Sequence, residues 1–168
     1  RTHAAVGALL ALHFALAMTA ARHKSPAFDE TVHIASGVAY GHWHDYRLNP
    51  ENGALPQRLA ALPLLFGDFA LPSRADEAWR TADLWSFADQ FFHHRGNSVE
   101  AILLRSRCMI ACLSCVLGGL VHAWSRRIFG AAGGLLSLTA YALSPTLLAH
   151  AALATSDLDY ASVAFAGL

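Results

Sequence analysis

Two adjacent carboxylates and a histidine, Asp29, Glu30 and His33, follow directly after the first apolar segment of the chain. A carboxylate in such a place can take a proton from a hydroxyl group that lies within hydrogen-bond reach. Acids in the first turn of a helix also complement the helix dipole, which is the simpler interpretation. The stretch SPAFDETVHIASG (25–37) therefore predicts either a general base or a helix start that carries two acids.

Other residues along the chain are also of types that could bind or react. Asp157 is either a second functional acid or the N-cap of a helix, and Glu51 is either functional or a turn residue. Three arginines lie beside apolar segments, where they serve as membrane anchors or as a clamp for an anionic headgroup. These arginines are Arg58, Arg105 and Arg107.

Histidines are frequent in the chain, which has ten of them. A His-x-His pattern with carboxylates nearby can bind zinc, but histidine as a polar residue at a membrane interface is the preferred interpretation. The candidates for such a metal group are His33, His42, His44 and His150.

The first acids fall on a predicted helix over about 26–41. Ser25 is a suitable N-cap, and Pro26 suits the first helical position because its missing N–H has no partner there. Helical spacing puts Asp29 and His33 on a polar face beside an apolar one. We therefore expect an amphipathic helix that lies along the membrane surface.

Two further short elements are predicted before the next long apolar segment. Residues 56–69 are apolar but too few to cross a bilayer. Residues 74–95 form a helix with a start signal at Ser73 and Asp76 and a stop signal at Gly96. The aromatic residues of this second element suit a membrane–water boundary.

Longer apolar segments predict helices that cross the membrane, which takes about 20 residues each. Their expected bounds are about 4–21, 102–124, 130–154 and 158–168, with an external loop over 22–101. Pro145 is expected to break or kink the third span. A signal peptide is the alternative for the first span. The last span stops inside an apolar run, so we interpret the chain as the N-terminal part of one transmembrane catalytic domain.

The short sequence SRRIFG carries Arg126 and Arg127, which predicts a cytoplasmic loop. Asp29 and Asp157 then emerge together on the opposite face. Gly130 and the glycine four residues later are spaced for close helix contact, or they form a turn.

The composition agrees with a membrane protein and excludes a nucleic-acid partner. Only 14% of the residues are charged, against about a quarter in soluble domains. Twelve basic residues balance twelve acidic ones, so no basic surface for a polyanion is expected. We expect an all-α fold, a polytopic transmembrane helical bundle with amphipathic interfacial helices in its long first external loop.

Four motifs occur in an order that resembles the polyprenyl-phosphate-sugar-dependent glycosyltransferases of the C superfamily. They are FDETVH (28–33), YRLNPE (46–51), RLAALPLLF (58–66) and SPTLLAHAALATSDL (144–158). Protein O-mannosyltransferases and bacterial aminoarabinose transferases are the members that the chain resembles most. The resemblance covers nearly the whole chain.

The resemblance implies roles for individual residues. Asp29 matches the catalytic aspartate of the first external loop, and Asp157 matches the second acid. Glu51 matches the acid of a Glu-x-Pro-Pro-like motif, but here NGALPQR follows it, so Arg58 is the nearest cation for the donor phosphate. The same neighbourhood is expected to include Arg105, Glu30 and His33.

The resemblance also implies an activity and a location. The enzyme would move a sugar from a polyprenyl-phosphate donor to a hydroxyl of a protein, lipid or glycan acceptor, with inversion. It would be an integral protein of the bacterial inner membrane, with its site on the extracytoplasmic side. Such a transfer needs a base and groups that hold the departing phosphate. No cofactor is certain, and a divalent metal is left open.

Two other classes are compatible with the sequence. A transporter or channel would carry polar groups within its spans, where His13 and His122 are the strongly polar candidates. A histidine-rich metal-binding membrane protein would use the pair His42 and His44. Ion flux without sugar transfer would favour the first class, and zinc binding lost on alanine substitution would favour the second.

Overall fold

The computed structural model describes residues 2–167, apart from the side chains of residues 158 and 159. The regular structure of these residues is entirely helical, as an all-α fold predicts. The chain divides into two compact units. We call them the apolar unit (Arg1–Lys24, Ile110–Ala152 and Asp157–Leu168) and the loop unit (Ser25–Met109 and Leu153–Ser156).

The α-helices are numbered in chain order. They are α1 (Thr2–Arg22), α2 (Phe28–Trp43), α3 (Ala54–Ala61), α4 (Glu77–Arg80), α5 (Leu84–Asp89), α6 (Val99–Ala142), α7 (Pro145–Ala151) and α8 (Asp157–Ala166). Tighter 3-10 turns cover Pro50–Asn52 and Leu62–Leu64, and a π-helical turn, Gln90–His94, continues α5.

Two helices, α1 and α6, are long and apolar enough to cross a membrane. Within the structure only 22% of the apolar window of α1 and 33% of that of α6 are buried. A core helix of a water-soluble protein would be mostly covered, so this exposure favours lipid as the surroundings. Length and composition do not distinguish α1 from a signal sequence.

The span expected over 102–124 and the first part of the span expected over 130–154 both fall on α6. A single residue, Gly130, interrupts this helix with φ 75° and ψ −173°, a conformation open essentially to glycine alone. Arg126 and Arg127 are helical, so the expected SRRIFG loop contracts to a break at one glycine. Gly130 is therefore a turn residue.

The region after α6 corrects the expected end of the third span. The helix ends at Ala142, short of residue 154, and Ser144 is the N-cap of α7 with Pro145 at its first position. The expected break at Pro145 is thus confirmed. A helix begins at Asp157, close to the expected start of a fourth span, but among the described residues only α1 and α6 meet the length and apolarity that crossing requires.

His13 holds together the helices of the apolar unit. It is fully buried, with Nε2 2.7 Å from Ser114 Oγ and Nδ1 3.1 Å from the carbonyl oxygen of Ala142. The Tyr141 hydroxyl donates to the Ser114 carbonyl at 2.8 Å, and its ring lies 5.2 Å from the His13 ring. Polar side chains often join apolar helices in this way, so His13 has a packing role.

In the loop unit, α2 forms the core. Every residue from 32 to 40 is buried, including His33 at 5% and Tyr40 at 0% exposure. The expected surface helix with an exposed polar face is therefore wrong beyond the first turn. The helical period is evident from the sequence, but the neighbours that bury the polar face come from segments that are distant in sequence.

The packing of α3 on α2 depends on Gly37. A Cβ atom at this position would lie 2.0 Å from the backbone oxygen of Gln57, so only glycine allows the two helices to approach this closely. The element expected over 56–69 is in fact α3 followed by the 3-10 turn that ends at Leu64.

The single helix expected over 74–95 is wrong. Ala82 adopts a left-handed conformation, with φ 56°, and separates α4 from α5. The stop signal is confirmed, because Gly96 is left-handed with φ 74°. The expected start is wrong by three residues: the Ser73 amide donates to the Asp76 carboxylate at 2.9 Å, but the first helix begins at Glu77, and its N-cap Asp76 makes no side-chain capping bond.

The aromatic residues of this region form a core inside the loop unit. The Trp43 ring lies 4.4 Å from that of Trp79 and 6.0 Å from that of Phe87. Trp79 and Phe87 are buried, so they pack against protein and do not mark a membrane boundary.

We predict that Gly37→Ala lowers the free energy of unfolding by about 1–3 kcal/mol, because the added methyl group overlaps the Gln57 carbonyl. Thermal and denaturant unfolding of the purified protein in detergent measures the change. The matched control is Gly119→Ala, where the new Cβ meets nothing within 4 Å. Equal loss of stability in both variants would contradict the close helix contact.

Candidate functional site

The first turn of α2 is fixed by a buried carboxylate, Glu30. Its Oε1 accepts hydrogen bonds from Arg107 Nε at 2.8 Å and from the Ala154 amide at 2.9 Å. Its Oε2 accepts from Arg107 Nη2 at 2.7 Å and from the Ala27 amide at 3.1 Å. Both oxygens are therefore occupied, and Glu30 is fully buried.

Arg107 is the partner of this carboxylate and is itself 2% exposed. Its Nη2 also donates to the carbonyl oxygen of Ser25 at 3.0 Å. A buried ion pair is tolerated only when hydrogen bonds replace the water that both charges lose. This pair meets that requirement, so it joins the residues before α2 to the first part of α6.

The same carboxylate holds a third segment, residues 153–156, through the amide of Ala154. This segment is part of the loop unit, and Asp157 follows it directly in the chain. The expectation that Glu30 contacts the donor phosphate is not supported, because its oxygens are already paired inside the protein.

Asp29 differs from its neighbour in being exposed. The helix begins at Phe28 with Ala27 as N-cap, so the expected start at Ser25 and Pro26 is wrong by about two residues. Asp29 thus stands in the first turn of α2, on a backbone that the Glu30 hydrogen bonds hold in place. An exposed carboxylate on a fixed turn can act on a hydroxyl group brought to it.

A cavity of about 260 Å³ adjoins this turn. The rings of Phe28 and Trp85 lie 4.2 Å apart beside it, and both side chains are substantially exposed, at 76% and 46%. Asp89 and His93 provide polar groups at the same cavity. Exposed aromatic faces with a few polar groups suit a sugar ring or an isoprenoid chain.

The loop that carries Glu51 is anchored to α2 and α3. The Asn49 amide donates to the Tyr40 hydroxyl at 2.8 Å, and the Gln57 side chain donates to the Asn49 carbonyl at 3.2 Å. Burial raises the pKa of the Tyr40 phenol above its usual value, so this anchor stays neutral near pH 7. Glu51 itself is exposed in the 3-10 turn that follows.

Arg58 lies on α3 with an exposed side chain, and its Nη1 donates to the Tyr46 hydroxyl at 3.1 Å. The Tyr46 ring in turn lies 4.8 Å from that of Tyr40. The guanidinium group is thereby oriented yet open to solvent, which suits an anionic ligand.

The remaining expected site residues of the loop unit have other surroundings. Arg105 is exposed, and its guanidinium carbon lies 5.2 Å from the centroid of the Phe69 ring. His33 is buried within α2, so it cannot meet a ligand at the surface.

Asp157 is at the first position of α8 in the apolar unit, where it lies beside a histidine. Its Oδ2 is 3.2 Å from His150 Nδ1, a close contact without hydrogen-bond geometry. Both side chains are partly exposed, at 62% and 41%. Because Asp29 belongs to the loop unit, its position on a common face with Asp157 stays a prediction.

No three His, Cys, Asp or Glu side chains of the described residues gather closely enough to hold a metal ion. The alternative histidine group of His33, His42, His44 and His150 therefore finds no support among these residues. Among the described residues, no such group of ligands lies near Glu51 and Arg58 to hold a divalent metal.

The sequence alone predicts an anchor or a clamp for Arg107 and does not reveal its pairing with Glu30. One feature of the sequence does indicate a buried partner for Arg107, because a charged residue inside an apolar segment usually has one. Arg107 lies within the span expected over 102–124.

The chain matches no protein-family model, no curated protein and no solved structure. The resemblance to lipid-donor glycosyltransferases therefore rests on the four quoted motifs.

We predict that Glu30→Gln and Arg107→Met each lower the free energy of unfolding by about 3–5 kcal/mol, because each leaves a buried partner unpaired. The double variant should lose less than the sum of the single losses. Denaturant unfolding of the four proteins measures this coupling. As a control, Arg47→Met breaks the exposed pair with Asp45, whose atoms lie 2.8 Å apart, and should cost at most about 1 kcal/mol. Additive losses would contradict the buried pair.

Proposed function

We propose that this chain is part of a membrane glycosyltransferase that moves a sugar from a polyprenyl-phosphate donor to an acceptor hydroxyl. One observation carries the proposal: Asp29 is an exposed carboxylate on a turn that the neighbouring, fully bonded Glu30 holds rigid. A general base needs this combination of accessibility and fixed position.

In the proposed reaction, Asp29 takes the proton of the acceptor hydroxyl as its oxygen attacks the anomeric carbon. The bond from that carbon to the phosphate oxygen breaks at the same time, and polyprenyl phosphate leaves with the electron pair. The attack comes from the face opposite the phosphate, so the configuration inverts. No carboxylate nucleophile is needed, unlike in a retaining glycosidase.

The departing phosphate gains negative charge that a cation must stabilise. Arg58 is the first candidate, because Tyr46 orients its guanidinium group and its side chain is exposed. Arg105 is a second exposed cation of the same unit. Glu51 lies in the anchored loop near Arg58 in sequence and would orient that neighbourhood.

The cavity beside the first turn of α2 is the proposed place for the substrate nearest to Asp29. Phe28 and Trp85 would stack against a sugar ring or the first isoprene units, and Asp89 would bond to sugar hydroxyls. Asp157, with His150 beside it, is proposed to orient the acceptor.

A lipid-linked donor requires a site at a bilayer, and two observations support such a location. Two helices have the length and apolarity to cross a membrane, and most of their apolar windows are uncovered. The same proposal places the enzyme in the bacterial inner membrane, with its site on the extracytoplasmic side. Its sugar would be one that mannosyltransferase-like enzymes transfer.

We expect Asp29→Asn to lower kcat/KM at least about 100-fold in the intact protein, because the amide cannot accept the acceptor proton. Transfer of radiolabelled sugar from polyprenyl-phosphate donors, in proteoliposomes, measures this loss. The melting temperature should remain unchanged.

The matched control for Asp29 is Glu100→Gln, which removes an exposed acid from the first turn of another helix, α6. Activity close to that of the unmodified protein is expected. If Asp29→Asn were as active as this control, Asp29 would only complement a helix dipole and the proposed function would lose its base.

We expect Arg58→Gln to raise the KM for the polyprenyl-phosphate donor about tenfold, since one charge-assisted hydrogen bond to phosphate contributes about 1.5–3 kcal/mol. Initial rates at varied donor concentration measure the effect. The control is Arg80→Gln, which removes an exposed arginine from the last turn of α4. An equal KM in both variants would rule out Arg58 as the phosphate contact.

A further inference from the structure

A second cavity, of about 390 Å³, lies in the apolar unit where the start of α1 meets α6 just before the Gly130 break. Its lining combines cations, imidazole rings and small apolar side chains. The lining residues are His3, Val6, His122, Ala123, Arg126 and Arg127. The residues proposed for catalysis are not among them, so this cavity is independent of the proposed function.

The two arginines give the cavity a positive charge with no acid to balance it. Residues 1–28 and 101–156 contain no aspartate or glutamate, and the cavity lining contains none. Within the described part of the chain neither Arg126 nor Arg127 has an ion-pair partner. An anion is the ligand that such a site favours.

His122 is the buried polar residue of the cavity lining. Only 9% of this residue is exposed, yet its Nδ1 has no hydrogen-bond partner among the described residues. The ring of His122 also lines the cavity, beside Arg126 and Arg127. His13, the other buried histidine of the apolar helices, has partners at both ring nitrogens.

The wall behind His122 is built by the helix that follows Gly130. A Cβ atom at Gly134 would lie 3.1 Å from His122 Nδ1 and 2.9 Å from Arg126 Cβ, so glycine allows this close packing. The imidazole ring and the Arg126 stem are thereby held in place, and the site is preformed.

We propose that this cavity binds the phosphate of an anionic lipid headgroup. The guanidinium groups of Arg126 and Arg127 would pair with the phosphate oxygens, and the His122 ring would donate a further hydrogen bond. Val6 and Ala123 supply apolar wall for the glycerol and the first acyl carbons. Basic pockets at the ends of membrane helices bind anionic headgroups by this chemistry.

A simpler role for Arg126 and Arg127 is to mark the cytoplasmic end of a span. That role needs only exposed positive charge. It does not require a cavity, and it predicts that any two arginines at a helix end would serve equally.

Binding of a short-chain phosphatidic acid to the purified intact protein in neutral detergent tests the proposal, with calorimetry as the readout. The double variant Arg126→Gln, Arg127→Gln should bind about thirtyfold more weakly, from the usual contribution of two arginines beside an anionic lipid. His122→Phe keeps a planar ring without nitrogen donors and should bind several-fold more weakly. The matched control, Arg22→Gln, removes an exposed arginine from the last turn of α1 and should bind within about twofold of the unmodified protein.

Three results would overturn the proposal. Equal losses in Arg22→Gln and in the double variant would mean that net charge alone attracts the lipid. Equally tight binding of an uncharged short-chain diacylglycerol would remove the role of phosphate. Equally tight binding of inorganic phosphate would mean that the site binds free phosphate and not a lipid headgroup. Because the double variant changes only exposed side chains, it tests the site even if His122→Phe fails to fold.

Discussion

The buried ion pair between Glu30 and Arg107 is the contact on which the loop unit depends. One carboxylate accepts bonds from the residue before α2, from the arginine of α6 and from the amide of Ala154, while the guanidinium group also binds the Ser25 carbonyl. Removing two charges from water is costly, and full pairing of their polar atoms offsets that cost. The pair therefore determines one arrangement of three segments that are far apart in sequence.

This constraint gives two adjacent acids different roles. Successive residues of a helix point about 100° apart, so a turn that buries Glu30 leaves the side chain of Asp29 directed elsewhere. Because Glu30 is buried and both of its carboxylate oxygens are hydrogen-bonded, it is a positioning residue. Asp29 is exposed and therefore open to a substrate. If both acids were exposed, the first turn would lose its anchor; if both were buried, no base would remain at the surface.

Local signals were predictable from the sequence, and distant contacts were not. The break at Pro145, the stop at Gly96 and a helix start near Asp157 follow from backbone geometry that one or two residues decide. The burial of α2 depends on α3 and on the aromatic residues near Trp79, which no periodicity within 26–41 reveals. For the same reason the order of the motifs indicates Asp29, whereas no local pattern reveals that Glu30 pairs with Arg107, 77 residues further along the chain.

The two buried histidines of the apolar helices differ in their hydrogen bonds, and this difference separates a packing residue from a residue that lines a binding cavity. Sequence alone treats them alike, as polar side chains in apolar segments. His13 has a hydroxyl and a carbonyl oxygen at its two nitrogens, so its burial is explained within the chain. His122 is also buried, but its Nδ1 lacks such a partner and its ring lines a cavity beside two unbalanced arginines. An anionic headgroup in this cavity would bring a hydrogen-bond acceptor to the imidazole ring and the opposite charge to the two arginines.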